Sequence, residues 1–158
     1  MKNTLTIPFQ KTPYIFIPQH KVTWNRDISH LKKKFSSVDL DLFLDLYQKA
    51  QENPKYSLKE IEEFYYLHQN NPEVLNLLTY VYLANKKYKK ANLLIEENYE
   101  KNPFNLFARI NYGDLCLRRK KASMVPEIFE NHFNLAEQYP KKGVFHVSEF
   151  RGFMVLMG

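Results

Sequence analysis

The chain has 158 residues, 44% of them hydrophobic and 25% charged, and a mass of 19.0 kDa. Length and composition predict one compact domain or one short array of repeats, and they exclude a disordered chain. With four glycines and eight prolines the chain is not fibrous. Its single cysteine excludes an internal disulfide framework and a cysteine-rich zinc site.

The net charge of +6 at pH 7 is unevenly distributed. Residues 1–39 carry seven Lys and Arg against two Asp, whereas the rest of the chain carries 16 basic against 15 acidic residues. The basic excess is therefore predicted to belong to the N-terminal segment. Prolines interrupt any secretory h-region, and no apolar run reaches the length of a transmembrane helix. We expect a cytoplasmic protein with no membrane partner.

Residues 1–26 are predicted to form an extended basic arm. Ile7, Thr12 and Ile17 each precede a proline, which disfavours the helical region for the residue before it. Within the arm, the β-branched and aromatic run 14–17 is typical of a short strand. Two placements are open at this point: the arm packs along the protein's own body, or it is mobile or bound to a partner.

From residue 27 onward, helix-capping residues alternate with apolar residues at helical spacing. A short basic helix is expected over 27–36. The caps predicted for the following helices are Ser37, Ser57, Asn71, Asn102 and Ser123, and a last helix is expected from Val147 or Ser148. Because the body shows no alternating strand pattern, the sequence predicts an all-α fold.

The most informative feature is a pattern of packing residues that recurs after 34 positions, which we call the repeat interval. Its first copy is Leu75-x2-Leu78-Thr79-x2-Tyr82, then Ala91-x3-Ile95 and Pro103. Its second copy is Arg109-x2-Tyr112-Gly113-x2-Cys116, then Val125-x3-Phe129 and Pro140. This pattern resembles that of the tetratricopeptide repeat (TPR) family, in which two helices pack closely at small residues and a proline ends the second helix.

The resemblance implies a right-handed α-α superhelix of stacked helix-turn-helix units over residues 27–158. The predicted parts are a short helix at 27–36, a degenerate repeat at 38–71, repeats at 72–105 and 106–140, and at 147–158 a capping helix or the first helix of a further repeat. Arg109 and Val125 depart from the family's bulky and small residues. The late position of Pro140 predicts a second helix about one turn longer than usual.

In the TPR family the first helix of each pair lines a concave groove. The resemblance places five residues there: Asn76, Tyr80, Asn111, Asp114 and Arg118. Their polar groups are suited to the backbone of an extended peptide, while Tyr80 supplies apolar area. The alternative is that these residues are simply solvated.

Two basic runs fall at the predicted turns within the helix pairs, and stacked pairs would align them as a basic edge. Its residues are Lys86, Lys87, Lys89, Lys90, Arg119, Lys120 and Lys121. Such an edge would steer the protein toward an acidic protein or nucleic acid. The alternative is again that charged turns are only solvated.

No residue pattern points to catalysis, a cofactor or a metal. The five histidines are scattered without metal-ligand spacing, and the four glycines form no phosphate-binding loop. Cys116 occupies a repeat packing position, where a buried and inert thiol is expected. We therefore do not expect an enzyme.

The apolar run 153–157 is unusual for the end of a repeat array. It indicates either a fragment of a longer array or a helix that packs on the arm or on a second copy, which leaves a homo-oligomer open. Taken together, the sequence predicts an adaptor that binds a protein or peptide partner in its groove. The alternative is a nucleic-acid-binding repeat protein that uses the basic arm and the basic edge.

Overall fold

The computed structural model describes residues 3–13 and 16–158, and nine helices account for 61% of them. The prediction of a mainly helical chain is confirmed, but these residues also form five short strands. The helices are α1 Ser29–Lys32, α2 Ser37–Glu52, α3 Pro54–Leu67, α4 Pro72–Ala84, α5 Tyr88–Lys101, α6 Leu106–Arg118, α7 Met124–Ile128, α8 Leu135–Gln138 and α9 Val147–Met157. The strands are β1 Thr4–Ile7, β2 Gln10–Lys11, β3 Phe16–Ile17, β4 His20–Thr23 and β5 Phe145–His146.

The chain divides into two compact units. The helical unit is Ile28–Leu115, and the mixed unit combines Met1–Asp27 with Cys116–Gly158. The boundary falls within α6, so the mixed unit takes the last turn of that helix together with both ends of the chain.

In the helical unit, helices that follow one another in the chain pack side by side: α2 on α3, α3 on α4 and α4 on α5. In addition, α2 contacts α4. Apolar residues from α1 to α5 form the core, in which Leu46, Ile61, Leu75 and Leu78 are almost completely buried. Burial of each such side chain stabilises the fold by about 1.5–3 kcal/mol relative to exposure.

Burial follows the repeat interval. Six pairs of positions separated by one repeat interval in α4 and α6 are buried in both helices: Pro72 and Leu106, Val74 and Ala108, Leu75 and Arg109, Thr79 and Gly113, Val81 and Leu115, Tyr82 and Cys116. The pair Thr79 and Gly113 is small, as a close helix crossing requires. The same interval separates Ser57 in α3, Ala91 in α5 and Val125 in α7, and all three residues are buried.

Arg109 is buried although it replaces the bulky apolar residue of the family pattern. Its side chain is only 5% exposed, and its Nε donates to the carbonyl oxygen of Pro103 at 2.5 Å. The guanidinium carbon lies 5.4 Å from the centre of the Phe104 ring. A hydrogen bond and a cation–π contact thus compensate for burying the charge.

The turns after α4 and α6 share one backbone conformation. Lys86 and Lys120, one repeat interval apart, have φ values of 58° and 59°, in the left-handed region that residues other than glycine rarely adopt. Both turns also share two hydrogen bonds: Lys86 and Lys87 donate to the carbonyls of Leu83 and Tyr82, and Lys120 and Lys121 donate to those of Leu117 and Cys116. This is the Schellman motif, in which glycine is the usual left-handed residue.

Local hydrogen bonds fix where the helices start. Asn71 caps α4 as predicted, because its side chain accepts from the N–H of Glu73. Three of the other predicted caps are displaced: Ser36 replaces Ser37, Asn53 replaces Ser57, and Asn105 replaces Asn102. α3 begins early because Asn53 and Pro54 supply both a cap and a first-turn proline, which leaves Ser57 buried inside the helix. Ser123 precedes α7 without a side-chain cap.

The mixed unit contains a three-stranded sheet of order β1-β4-β5. β1 is antiparallel to β4, and β5 is parallel to it with Phe145 opposite Val22. α9 packs on β4 and β5, and β2 and β3 pair as an antiparallel hairpin. Much of the predicted extended arm therefore belongs to sheets. Of the predicted strand 14–17, Phe16–Ile17 forms β3, and Tyr14 and Ile15 lie outside the described residues.

The second helix predicted for residues 106–140 is much shorter than expected. α7 ends at Ile128, and Glu130 and Asn131 have φ values of 53° and 59°. The N–H groups of Glu130 and Asn131 donate to Glu127 and Pro126, the same arrangement that ends α4 and α6. The expected extension by about one turn is therefore wrong. The chain turns and forms α8 instead.

The helix predicted from Val147 is confirmed as α9. Phe153 is completely buried, and its ring packs edge-on against Phe129 with centroids 5.3 Å apart. Within the apolar run 153–157, only Val155 is exposed. The run therefore supplies core to the mixed unit.

Lys86→Gly and Lys120→Gly are each expected to raise the free energy of unfolding by about 0.5–1 kcal/mol, because glycine enters the left-handed conformation without a Cβ clash. Urea denaturation followed by circular dichroism measures the change. Lys59→Gly, at an exposed position inside α3, is the control and should destabilise the protein by about 1 kcal/mol. A loss of stability at all three positions would contradict the turn geometry.

Ser57→Ala is expected to raise the free energy of unfolding by about 0.5–1 kcal/mol. The Ser57 hydroxyl is buried and has no hydrogen-bond partner among the described residues, and alanine already occupies the corresponding position 91. Ser57→Leu should instead destabilise by about 1–3 kcal/mol, because a close crossing leaves no room for the larger side chain. Thermal unfolding that shows leucine to be tolerated would exclude a close crossing here.

Candidate functional site

Five asparagines join α4, α5 and α6 in one hydrogen-bonded network within the helical unit. Asn76 Oδ1 accepts from Asn98 Nδ2 at 2.9 Å and from Asn111 Nδ2 at 3.2 Å. Asn76 Nδ2 donates to Asn105 Oδ1 at 3.3 Å, and Asn102 Nδ2 donates to Asn98 Oδ1 at 3.0 Å. Asn98 is 1% exposed, so these bonds replace the water that its amide loses on burial.

The network brings two of the predicted groove residues, Asn76 and Asn111, into direct contact. Tyr80 lies one turn beyond Asn76 on α4 and is 40% exposed. Asp114 lies one turn beyond Asn111 on α6 and is exposed as well. These four residues form one surface across two helices, which we call the amide surface. The fifth predicted residue, Arg118, is exposed near the end of α6, in the part that belongs to the mixed unit.

The amide surface combines an aromatic ring with hydrogen-bonding groups. Asn76 Oδ1 already accepts two hydrogen bonds within the network. By contrast, the Tyr80 hydroxyl and Asn111 Oδ1 have no hydrogen-bond partner in the described part of the chain. A hydroxyl that donates and an amide oxygen that accepts, next to an apolar ring, suit the backbone of a polypeptide.

Glu73 extends the network at the start of α4. Its Oε1 accepts from Asn105 Nδ2 at 3.5 Å and lies 3.7 Å from His30 Nε2. Burial raises the pKa of the Glu73 carboxyl, but the hydrogen bond and charge of His30, together with the charge of Lys34, bring the net pKa below its usual value. While His30 is protonated, the ionised carboxylate therefore stabilises the fold, and this contribution is lost as the pH falls through the lowered pKa of Glu73.

The predicted basic edge is divided between the two units. The helical unit holds Lys86, Lys87, Lys89 and Lys90, and the mixed unit holds Arg119, Lys120 and Lys121, all of them exposed. Lys90 is engaged in its own unit: its Nζ lies 3.3 Å from Glu62 Oε1 and 5.3 Å from the centre of the Tyr82 ring. Lys90 thus forms an ion pair and a cation–π contact in addition to facing solvent.

Sequence reasoning missed Asn98 and Asn105, the two residues that hold Asn76 in place. Neither lies at a groove position of the family pattern, and a buried asparagine inside α5 has no local signature. The only signal was the number of asparagines between residues 98 and 111. Which amides pair depends on the packing of three helices, so the spacing alone does not reveal it.

Comparison with known proteins gives no family assignment: no protein-family model, no curated protein and no solved structure matches this chain significantly. Within residues 3–13 and 16–158, no helix is long and apolar enough to cross a membrane. The same residues contain no group of three His, Cys, Asp or Glu side chains placed to hold a metal ion.

Asn98→Ala is expected to lower the free energy of unfolding by about 1–3 kcal/mol, because the half-buried amides of Asn76 and Asn102 each lose the hydrogen bond that they share with Asn98. The exposed Asn70 in the turn before α4 provides the control, and Asn70→Ala should change stability by less than about 0.5 kcal/mol. Urea denaturation measures both. If Asn98→Ala lowered the free energy of unfolding no more than Asn70→Ala does, the network would not contribute to stability.

Proposed function

We propose that this chain is a TPR-like helical repeat module and that its amide surface binds an extended segment of a partner protein. The observation that carries the proposal is that both burial and turn conformation recur at the repeat interval. Recurrence supports stacked units, because one helix pair buries its apolar face only against a neighbouring pair. The arrangement implied by such stacking is the right-handed superhelix of the TPR family.

Stacking gives the amide surface the shape for an extended ligand. Tyr80 and Asp114 are one repeat interval apart and both exposed, so they occupy equivalent positions on successive first helices. A peptide lying across α4 and α6 would meet the Tyr80 ring and then the polar groups of α6. Asn111 Oδ1 would accept from a backbone N–H, and the Tyr80 hydroxyl would donate to a backbone carbonyl.

The zero net charge of the helical unit favours binding of a peptide through short-range contacts at the amide surface. The helical unit contains twelve Lys and Arg against twelve Asp and Glu and is therefore neutral. A neutral unit does not attract a charged ligand over a long distance, so hydrogen bonds and the tyrosine ring must supply the affinity. Binding at the amide surface should consequently change little with salt concentration.

Selection of linear peptides displayed on phage, with the full chain as the immobilised target, is expected to yield binders. Tyr80→Ala should weaken the affinity of a selected peptide by about tenfold or more, as for a central aromatic contact. Isothermal titration calorimetry measures the affinities. Tyr88→Ala removes an exposed tyrosine from α5 and should leave the affinity unchanged.

Circular dichroism first establishes that both variants are folded. Failure to select any peptide would count against the proposal. So would an equal loss of affinity in Tyr80→Ala and Tyr88→Ala, since it would place the binding site away from the amide surface.

A further inference from the structure

The net charge of the chain belongs entirely to the mixed unit. That unit contains eleven Lys and Arg against five Asp and Glu, a net charge of +6, whereas the helical unit is neutral. Its N-terminal segment, Met1–Asp27, also exposes three aromatic side chains: Phe9 at 64%, Phe16 at 61% and Trp24 at 53%. Cations that follow phosphates and rings on which bases stack are the two components of single-strand recognition. We propose that the mixed unit binds single-stranded nucleic acid through these strands.

The hairpin of β2 and β3 places a cation beside a ring. Lys11 lies directly opposite Phe16 in the antiparallel pair, and both residues are exposed. Side chains directly opposite each other in such a pair lie on the same face, with Cβ atoms about 4.5–5.5 Å apart. A base stacked on the Phe16 ring would therefore carry a phosphate within reach of the Lys11 ammonium group.

The three-stranded sheet adds a polar face. His20 and Val22 are buried, at 3% and 2% exposure, so the alternation of a strand places Lys21 and Thr23 on the opposite face. Thr6 lies opposite Lys21 in the neighbouring strand and is exposed. The ammonium group of Lys21 and the hydroxyl of Thr6 are of the kind that makes phosphate and sugar contacts in nucleic-acid binding, whereas the Thr23 hydroxyl is bonded to the backbone of Asn3 and Asn25.

Trp24 follows β4 directly, and its backbone is tied to β5. His146 Nδ1 accepts from the N–H of Ser148 at 3.2 Å, so Nε2 carries the proton and donates to the Trp24 carbonyl oxygen at 3.3 Å. The backbone of Trp24 is thus held while its indole remains half exposed. Because the backbone is already ordered, stacking of a base on the indole requires no further ordering of the backbone.

A single strand fits these features better than a duplex or a membrane. In a duplex the faces of the bases are covered by neighbouring bases, so exposed rings gain no stacking partner. Binding to a membrane surface requires a continuous apolar face. Here the exposed polar residues Gln10, Lys11 and Thr12 lie between Phe9 and β3 in the chain, so the exposed apolar residues do not form a continuous face. The inference uses none of the residues of the amide surface and stands independently of the proposed function.

Fluorescence anisotropy of a labelled oligo(U) RNA of about 20 nucleotides, titrated with the full chain, tests the proposal. We expect binding at low salt, with log K falling against log salt by about 0.7 for each phosphate contacted. Lys11→Gln should reduce this slope by about 0.7. Phe16→Ala should weaken binding by about fivefold or more and leave the slope unchanged.

Two exposed residues of the neutral helical unit provide matched controls. Tyr56→Ala removes an exposed ring and Lys55→Gln a cation, and neither should alter RNA binding. Trp24 is the only tryptophan of the chain, so its fluorescence reports directly on this surface. RNA should quench it by stacking, whereas heparin, which has charge but no bases, should not.

Absence of RNA binding at low salt would overturn the proposal. It would also be overturned if Phe16→Ala bound RNA like the unaltered chain, since attraction between charges alone would then account for binding. Vesicles rich in phosphatidylserine test the alternative that this surface binds a membrane. Co-sedimentation with these vesicles and a blue shift of the Trp24 emission, without RNA binding, would assign the surface to a membrane.

Discussion

The packing of neighbouring helices is the constraint on which the helical unit depends. Small side chains are buried where these helices pack: Ser57 in α3, Thr79 in α4 and Ala91 in α5. The hydroxyls of Ser57 and Thr79 have no hydrogen-bond partner among the described residues, and burying each of them without a partner is unfavourable. The packing is nevertheless favourable overall, because it buries several large apolar side chains, each of which stabilises the fold by about 1.5–3 kcal/mol.

The helices and their repeat interval could be predicted because their signals are local. Asn71 and Pro72 mark a helix start on their own, and apolar spacing within one helix needs no knowledge of its neighbours. The sheet of the mixed unit could not be predicted, because it pairs Val22 with Phe145 across most of the chain. The early end of α7 could not be predicted for another reason: Glu130 adopts a left-handed conformation that its residue type does not favour.

The same distinction applies to the candidate site. The family resemblance placed Asn76, Tyr80 and Asn111 together, since equivalent positions of repeated helices are set by the period. It did not show that Asn98 and Asn105 use the hydrogen-bonding groups of Asn76, which is a property of three helices packed together. This pairing changes the chemistry of the site. In the proposed binding mode, Asn76 supports the surface, and contacts with the ligand would be made by the Tyr80 ring and the oxygen atoms around it.

The two units differ in net charge more than the sequence alone indicated. By position in the chain, the basic excess belonged to residues 1–39, yet Lys32, Lys33 and Lys34 lie in the neutral helical unit. The mixed unit instead gains the basic run that ends at Lys121, because the fold joins both ends of the chain. At physiological ionic strength charges are screened beyond about 8 Å. Binding at a surface that depends on net charge is therefore weakened by salt, whereas binding at one that depends on amides and a tyrosine ring is not. Salt concentration would thus distinguish the two proposed modes of recognition.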